Sequence, residues 1–155
     1  RRMSRVVEVA VRHPRVRVAA APVVAVVHAL DRMRTYRCPR GALSIAFLGD
    51  RETARVHADY LDDPTVTDVI TFPGEDHPGE PFAGEIRVNI DQARRAAKEH
   101  GTTLAAELRL YVVHGWLHLA GLLDGTKAEC VAMRAGEAAA LAHLDRAKRR
   151  LRVVG

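Results

Sequence analysis

The sequence predicts an α+β fold in which a small mixed sheet of four strands is packed by about five helices. Three observations lead to this class. Strand and helix patterns follow one another in the order β, α, β, α, β, β, and three helical patterns come after them. Hydrophobic residues make up 48% of the 155 residues, which is enough to build one core. No repeat, linker or low-complexity tract divides the chain, so we expect a single domain over residues 1–155.

The first half of the sequence contains two strand patterns and two helix patterns. Residues 6–11 are apolar with charges interleaved, and residues 41–50 are an apolar run bounded by turn residues, so both segments are predicted to be strands. Pro22 stands at a favoured first-turn position, and apolar residues recur at helical spacing from there to Met33. A short polar helix is predicted over residues 51–60.

Two strands are predicted on either side of a loop that is rich in proline and glycine. Residues 66–72 contain many β-branched and aromatic side chains, which favour strands. Residues 84–90 are predicted to form a second strand. The loop over residues 73–83 can join the two as neighbours in the sheet.

Three helices are predicted in the remaining chain. The first covers residues 91–100 with Asp91 as its N-cap, and Gly101 and Thr102 interrupt the pattern after it. The second is a long central helix over residues 103–120, and Gly121 is predicted to end it. The last helix is predicted over residues 127–150.

Basic side chains outnumber acidic ones and cluster towards both ends of the sequence. The net charge is +5 and the isoelectric point is near 9.8. Such a charge favours polyanionic partners, among them nucleic acid, the ribosome and acidic membranes. The two clusters are equally compatible with a solvated face or a frayed tail. Charge alone therefore does not establish a nucleic-acid partner.

Cysteine usage and hydropathy predict a cytoplasmic protein with no membrane association. Cys38 and Cys130 are far apart and form no C-x-x-C pair, which excludes a zinc finger and argues against a disulfide scaffold. They fit a reducing compartment. No stretch of 18 apolar residues occurs, and no apolar segment typical of a signal peptide follows the first residues.

The pattern that indicates chemistry is a pair of histidines one helical turn apart, His114 and His118. Asp124 follows beyond the helix end at Gly121, where a chain that turns back can present its carboxylate beside the two imidazoles. Two histidines and a carboxylate suit Zn²⁺, and three protein ligands leave the fourth position to water, which is typical of a hydrolytic site. Gly115 takes the place of the glutamate of H-E-x-x-H peptidases, so peptidase chemistry of that kind is disfavoured.

Two structural alternatives remain open for these residues. A histidine pair with this spacing often has no metal and is satisfied by other groups. Asp124 is equally suited to be the N-cap of the last helix. The glycine at position 115 weakens a helix, which suggests that a neighbouring group approaches the backbone there.

These residues lie in motifs that resemble those of the YbeY family of bacterial rRNA maturation factors. Residues 114–121, H-G-W-L-H-L-A-G, are similar to the family's H-G-x-L-H-L-x-G signature. Residues 67–73, T-D-V-I-T-F-P, resemble its T-D-V-L-S-F-P strand, and residues 84–86, G-E-I, resemble its G-D-I strand opening. The three blocks occur in the family's order and spacing.

The resemblance implies one YbeY-like metallohydrolase domain of the α+β class. Its implied activity is zinc-dependent, single-strand-directed endoribonuclease action in 16S rRNA maturation and ribosome quality control. The partners would be single-stranded RNA or rRNA, the ribosome and ribosomal proteins. One zinc ion would be held by His114, His118 and Asp124 at the end of the long central helix. The catalytic group would be a zinc-bound water, with no protein base assigned.

The sequence departs from the family pattern in two places that bear on chemistry. Asp124 replaces the usual third histidine, an exchange that zinc accepts. Leu61 stands where many members have an arginine for the RNA phosphate, so another cation must serve or catalysis is weaker. Candidates for that cation are Arg55, Arg87 and Arg109. Two further motif residues, Thr67 and Asp68, are expected either to support the substrate or to anchor a strand end by hydrogen bonds.

Two other function classes compete with the nuclease. In one, the chain is a non-catalytic module that binds rRNA or the ribosome and uses its metal only as a structural tie; a fourth protein ligand would favour it. In the other, the zinc site hydrolyses another substrate such as a peptide, against which Gly115 and the basic charge both argue.

Overall fold

The computed structural model describes residues 4–61, 68–74 and 81–155, and for residues 56–61 it describes the helical backbone only. Along the described chain the elements are β1 (Val7–Arg12), β2 (Arg17–Val18), α1 (Ala20–Asp31), β3 (Ala42–Leu48), α2 (Asp50–Leu61), β4 (Val69–Pro73), β5 (Phe82–Asn89), α3 (Ile90–His100), α4 (Leu104–Leu119), α5 (Lys127–Arg146) and β6 (Val153–Val154).

The main sheet has four strands in the order β1-β3-β5-β4. The first three are parallel, with Arg12 beside Leu48 and Leu48 beside Asn89, whereas β4 pairs antiparallel with β5. This mixed sheet and the five helices of the described chain confirm the predicted α+β class. The parallel strands end together at one edge of the sheet, and their first residues lie together at the opposite edge.

Most predicted elements are present, with ends displaced by a few residues. The predicted strand over residues 66–72 begins at Val69 in the described chain, and its first two positions lie outside the described residues. The predicted loop over 73–83 was too long at its end, because β5 already begins at Phe82. Residues 75–80 of that loop also lie outside the described residues.

The N-cap prediction for α3 was wrong. The cap is Asn89, whose side chain accepts hydrogen bonds from the backbone N–H groups of Asp91 and Gln92. Asp91 lies inside the first turn, and its carboxylate is engaged by two other elements. It accepts the backbone N–H of Asp50 at 2.9 Å and contacts the His13 Nε2 at 2.8 Å.

The last helix is shorter than predicted, because it ends at Arg146 instead of residue 150. Lys148 has a positive φ of 56°, which turns the chain out of the helix. The chain then returns to the body of the protein: Leu151 is buried, and β6 pairs antiparallel with β2. These two strands were not predicted from the sequence, and a frayed tail is wrong for this segment.

Helix α4 packs against α3, α5 and the sheet strands β4 and β5. Trp116, Leu117 and Val113 on this helix are fully buried. Gly115 faces the sheet so closely that an added Cβ would lie 2.5 Å from the Ile86 Cγ2. The expected close approach at Gly115 is therefore that of strand β5. None of the helices in the described ranges combines the length and the apolar character that a membrane crossing needs.

Candidate metal centre

The last turn of α4 presents His114 and His118 on one side of the helix. Both rings are partly buried, and their Nε2 atoms are 3.0 Å apart. The helix ends in a turn in which Gly121 has a φ of 106° and donates its N–H to the carbonyl of His118. Leu122 donates its N–H to the carbonyl of Leu117 in the same turn. The chain is thereby turned back towards the two histidines.

Asp124 lies on the segment that follows this turn. Its Oδ2 is 3.3 Å from the Nε2 of His114 and 3.3 Å from the Nε2 of His118. It is not the N-cap of α5, because Thr126 has that role in a capping box with Glu129. The Cys130 thiol donates to the Asp124 carbonyl oxygen at 3.1 Å, which holds the segment in place.

The three atoms form a triangle that one metal ion fits. Ligands arranged tetrahedrally at about 2.0–2.1 Å from zinc lie about 3.3 Å from one another. The observed separations are 3.0, 3.3 and 3.3 Å. His114, His118 and Asp124 could therefore hold a metal ion at the end of α4.

In each of the two imidazole rings, the Nδ1 atom points away from the candidate metal position and makes a hydrogen bond that fixes the orientation of the ring. The His114 Nδ1 donates to the Glu137 Oε2 at 2.6 Å, and the His118 Nδ1 donates to the carbonyl oxygen of Leu122 at 2.9 Å. In the neutral rings both Nε2 atoms then carry lone pairs. Two nitrogen lone pairs and a carboxylate oxygen converge, an arrangement that is unfavourable unless a cation lies between them.

The electrostatic surroundings of His114 are negative. Burial of the ring opposes its protonation, but the hydrogen bond and the charge of Glu137, with smaller contributions from Asp68 and Asp124, raise the pKa of His114 above its usual 6.5. Negative groups that favour the imidazolium also attract a metal cation. A proton and a metal ion are expected to compete for this ring.

Glu137 is a candidate site residue that was not predicted from the sequence. It lies on α5, 23 positions after His114, and only the packing of α5 against α4 brings the two together. A carboxylate bound to the outer nitrogen of a metal-ligating histidine is a common support of metal sites. No local spacing in the sequence marks it.

The other predicted site residues are distributed more widely. Asp68 accepts the N–H of Val69. Burial is the main cause that raises the pKa of Tyr111, and the charge of Asp68 raises it further. The same charge is one of the smaller causes that raise the pKa of His114. Thr67 and the side chain of Leu61 lie outside the described residues. Arg55 lines a different cavity from the one that His118 lines.

Two of the three proposed replacement cations are already engaged. Arg87 pairs with Glu85 at 2.7 Å and lies over the ring of Phe72. Arg109 pairs with Asp145 at 2.9 Å and also donates to a backbone carbonyl. Neither guanidinium can bind a substrate unless it first gives up these contacts.

An open cavity of about 720 Å³ adjoins His118. Its lining includes Arg40 and Phe82, together with three prolines, and Phe82 is 38% exposed. Within the described ranges, the exposed Arg40 side chain makes no hydrogen bond or ion pair. The cavity therefore offers an available cation and an aromatic ring beside a candidate metal ligand, a combination that sequence spacing did not reveal.

Comparisons of this sequence with family models and with known proteins point to the same family. The family model described as endoribonuclease YbeY matches residues 11–145. Proteins named endoribonuclease YbeY from Cytophaga hutchinsonii and Syntrophotalea carbinolica are both 35% identical, over 64% and 69% of this chain and 68% and 75% of their own lengths. The one from Myxococcus xanthus is 37% identical over 51% of this chain.

The matched segments differ in how much of each relative they cover. The chain spans 28% of the Myxococcus xanthus relative and 42% of one from Anaeromyxobacter. Among solved structures, a Thermotoga maritima protein determined in solution has a TM-score of 0.58 and 20% identity, covering 90% of this chain and 92% of its own. That likeness concerns the fold.

Proposed function

This chain belongs to the YbeY endoribonuclease family, and from that premise we propose that it is a zinc-dependent endoribonuclease that cleaves single-stranded RNA. The observation that carries the proposal is the convergence of the His114 Nε2, the His118 Nε2 and the Asp124 Oδ2 within 3.3 Å. Zinc held there would polarise a phosphoryl oxygen and lower the pKa of a bound water.

The composition of the site supports a catalytic use of the metal. Within the described ranges, no fourth histidine, cysteine or carboxylate joins the three ligands. Structural zinc sites in proteins have four protein ligands, whereas hydrolytic sites keep one position for water or substrate. A metal that served only as a structural tie would call for a fourth protein ligand, and the described part of the chain provides none.

The cavity beside His118 supports RNA as the substrate. Arg40 would pair with a backbone phosphate, because its guanidinium is free to form charge-assisted hydrogen bonds. Phe82 would stack on a base, which every nucleotide permits, so binding would not depend strongly on sequence. Arg40 is our candidate for the cation that replaces the arginine usual at Leu61.

Glu137 and Leu122 would keep the two imidazoles oriented during the reaction. Each accepts the proton of an outer nitrogen, so neither ring can rotate without losing a hydrogen bond. Asp68 adds negative charge near the site, and with Thr67 it is proposed to support the position of the substrate strand. No side chain is assigned as the general base.

The cellular role that we propose is maturation of 16S rRNA and ribosome quality control, with ribosomal RNA or ribosomal proteins as partners. The family and the net charge of +5 support it, since a basic protein is attracted to the ribosome. The cytoplasm is the proposed location. Cys38 and Cys130 are both free thiols, in agreement with a reducing compartment.

The proposal is tested by metal content and RNA cleavage measured together. Wild type is expected to hold about one zinc per chain and to cut single-stranded rRNA fragments, and His114→Ala is expected to lose both properties. Arg40→Gln is expected to keep its zinc and lose about 10- to 100-fold in kcat/KM, the effect of one charged hydrogen bond. Arg32→Gln, an exposed arginine outside the cavity, is the matched control.

Each negative result has a defined meaning. Cleavage that persists unchanged in His114→Ala would show that the activity belongs to a contaminant and that the metal is structural. Zinc binding by wild type without any cleavage would favour the non-catalytic module. Equal activities of Arg40→Gln and Arg32→Gln would remove Arg40 from the substrate site but leave the metal assignment intact.

A further inference from the structure

A second cavity, of about 550 Å³, lies where the parallel strands β1 and β3 end. It is lined by the segments that follow these strands and by the first two turns of α2 and α3. In open parallel sheets this edge is the usual position for ligands. Five of its lining residues are arginines: Arg12, Arg15, Arg51, Arg55 and Arg94.

The acidic residues of this cavity are all engaged. Asp50 pairs with Arg95 at 2.8 Å and accepts from the side chain of Asn89. Glu52 pairs with Arg12 at 2.9 Å. The Asp91 carboxylate contacts the His13 Nε2 and accepts the N–H of Asp50.

Three guanidinium groups are left without a partner. Throughout the described part of the chain, the side chains of Arg15, Arg51 and Arg55 make no hydrogen bond or ion pair. All three are exposed and line the same cavity. Like charges in one cavity repel one another, so their uncompensated positive charge favours an anionic ligand.

The base of the cavity is held by hydrogen bonds between separate elements. The His13 Nδ1 accepts the backbone N–H groups of Arg15 and Val16, so its Nε2 carries the proton and donates to Asp91. Asp91 on α3 in turn accepts the N–H of the first residue of α2. The segments that bear Arg15, Arg51 and Arg55 are thus connected through one carboxylate.

We propose that Arg15, Arg51 and Arg55 form a second RNA-contact site, which binds backbone phosphates away from the scissile bond. The inference rests on the proposed endoribonuclease function. The last turn of α4, which carries the histidines, lies against the first half of β5, with Leu119 facing Gly84, whereas the arginine site lies at the edge where β5 ends. At about 3.3 Å per residue, Gly84 and the last residue of β5, Asn89, are about 17 Å apart.

This separation gives the site a defined role. A stacked strand advances about 3.4 Å per nucleotide, so a phosphate at the arginine site is roughly five or more nucleotides from the cut. Short RNA would contact the metal cleft only, and longer RNA would contact both sites. Arg55 therefore serves the substrate at the arginine site and does not replace the cation missing at Leu61.

The test compares RNA binding by wild type and by a triple variant, Arg15→Gln/Arg51→Gln/Arg55→Gln. The probes are single-stranded RNAs of about 4 and about 20 nucleotides, with probe integrity checked on a denaturing gel. The plot of log K against log salt has a negative slope, and the loss of three phosphate contacts should make that slope less steep by about 2. It should weaken binding of the longer probe roughly 50-fold at about 0.15 M salt.

The control variant removes the same charge from exposed arginines that line neither cavity, Arg32→Gln/Arg146→Gln/Arg150→Gln. Support requires that the longer probe loses affinity in the site variant only, while cleavage and binding of the short probe stay within about twofold of wild type. Equal losses in both variants, or none in the site variant, would overturn the inference and leave the proposed nuclease standing. If wild type neither binds nor cuts either RNA, both proposals fail.

Discussion

At the scale of single residues, the metal centre depends on which proton each imidazole carries. His114 and His118 can offer lone pairs to one ion only if their outer nitrogens hold the hydrogens. Glu137 and the carbonyl oxygen of Leu122 accept those two hydrogens. The two acceptors differ in kind, because Glu137 brings a charge and the carbonyl does not. Glu137 should therefore increase the affinity of the site for a cation as well as orient one ligand.

We expect Glu137→Gln to weaken zinc binding by about 10- to 100-fold, the usual effect of removing such a carboxylate. The amide can still accept the hydrogen bond from the His114 Nδ1, so the loss measures the charge more than the orientation. The dissociation constant would be determined by competition with a chelator of known affinity. Glu99→Gln, which removes an exposed carboxylate on α3, serves as the control. An unchanged zinc affinity would mean that Glu137 contributes no electrostatic support.

At the scale of elements, Asp91 connects three parts of the fold. Its carboxylate contacts the side chain of His13, which follows β1, and it accepts the N–H of the first residue of α2. Burial tends to raise the pKa of this carboxyl group, but the hydrogen bonds from His13 and from the Asp50 backbone outweigh it. The pKa of Asp91 is therefore lower than its usual 3.8. The ionised form is the one that holds the three elements together.

The depressed pKa of Asp91 predicts an acid-sensitive contribution to stability. A carboxyl group with a lower pKa in the folded state stabilises the fold above its unfolded pKa, and this stabilisation is lost as the pH falls through the folded value. The free energy of unfolding of wild type should therefore decrease more steeply below about pH 4 than that of Asp91→Asn. Urea denaturation between about pH 3 and 7 measures this difference. Glu8→Gln, at an exposed position, should follow wild type.

The segment after α5 also acts as an element, although its strand is only two residues long. Leu151 is 7% exposed and belongs to the main core, and β6 pairs with β2 two residues later. We expect Leu151→Ala to cost about 2–4 kcal/mol in the free energy of unfolding. Val154→Ala, at a side chain that is 65% exposed, should change it by less than about 0.5 kcal/mol. Similar unfolding midpoints for the two variants would show that this segment does not stabilise the fold.

At the scale of the whole molecule, the sequence was informative where structure follows from local patterns. Helix α4 and its two histidines could be predicted because residues four apart share a helical face. The succession of the main strands and helices along the chain followed from long apolar patterns and the turn residues between them. Strands β2 and β6 could not be found in this way, because two residues carry no period. The N-cap of α3 was missed since Asn89 and Asp91 are both good caps, and contacts from other elements decide between them.

The parts of the candidate site that escaped prediction are those assembled by packing. Glu137 reaches His114 only through the contact between α4 and α5, and Arg40 adjoins His118 only across the edge of the sheet. The same holds for Arg15, Arg51 and Arg55, which belong to separate segments around one cavity. Local spacing carries no information about such neighbours. Only the fold places Arg40 beside His118 and the other three arginines at the opposite edge of the sheet.

The proposed metal connects the site to the stability of the whole chain. Without a cation, the lone pairs of His114 and His118 face each other and the Asp124 carboxylate, which disfavours the folded arrangement. A ligand that binds only the folded state stabilises it by mass action, by about 2.7 kcal/mol when its concentration is 100 times the dissociation constant. For a chain of this size that corresponds to a rise of roughly 5–10 °C in Tm.

We therefore expect added zinc to raise the Tm of wild type by this amount and a chelator to reverse the rise. His118→Ala should show no zinc-dependent shift, because two ligands bind the ion far more weakly than three. His100→Ala, which removes an exposed histidine at the end of α3, should respond as wild type does. Thermal unfolding with and without zinc measures all three proteins. A shift of equal size in His118→Ala would mean that zinc binds elsewhere, and the convergence of three lone pairs at the end of α4 would then need another cation, such as a proton.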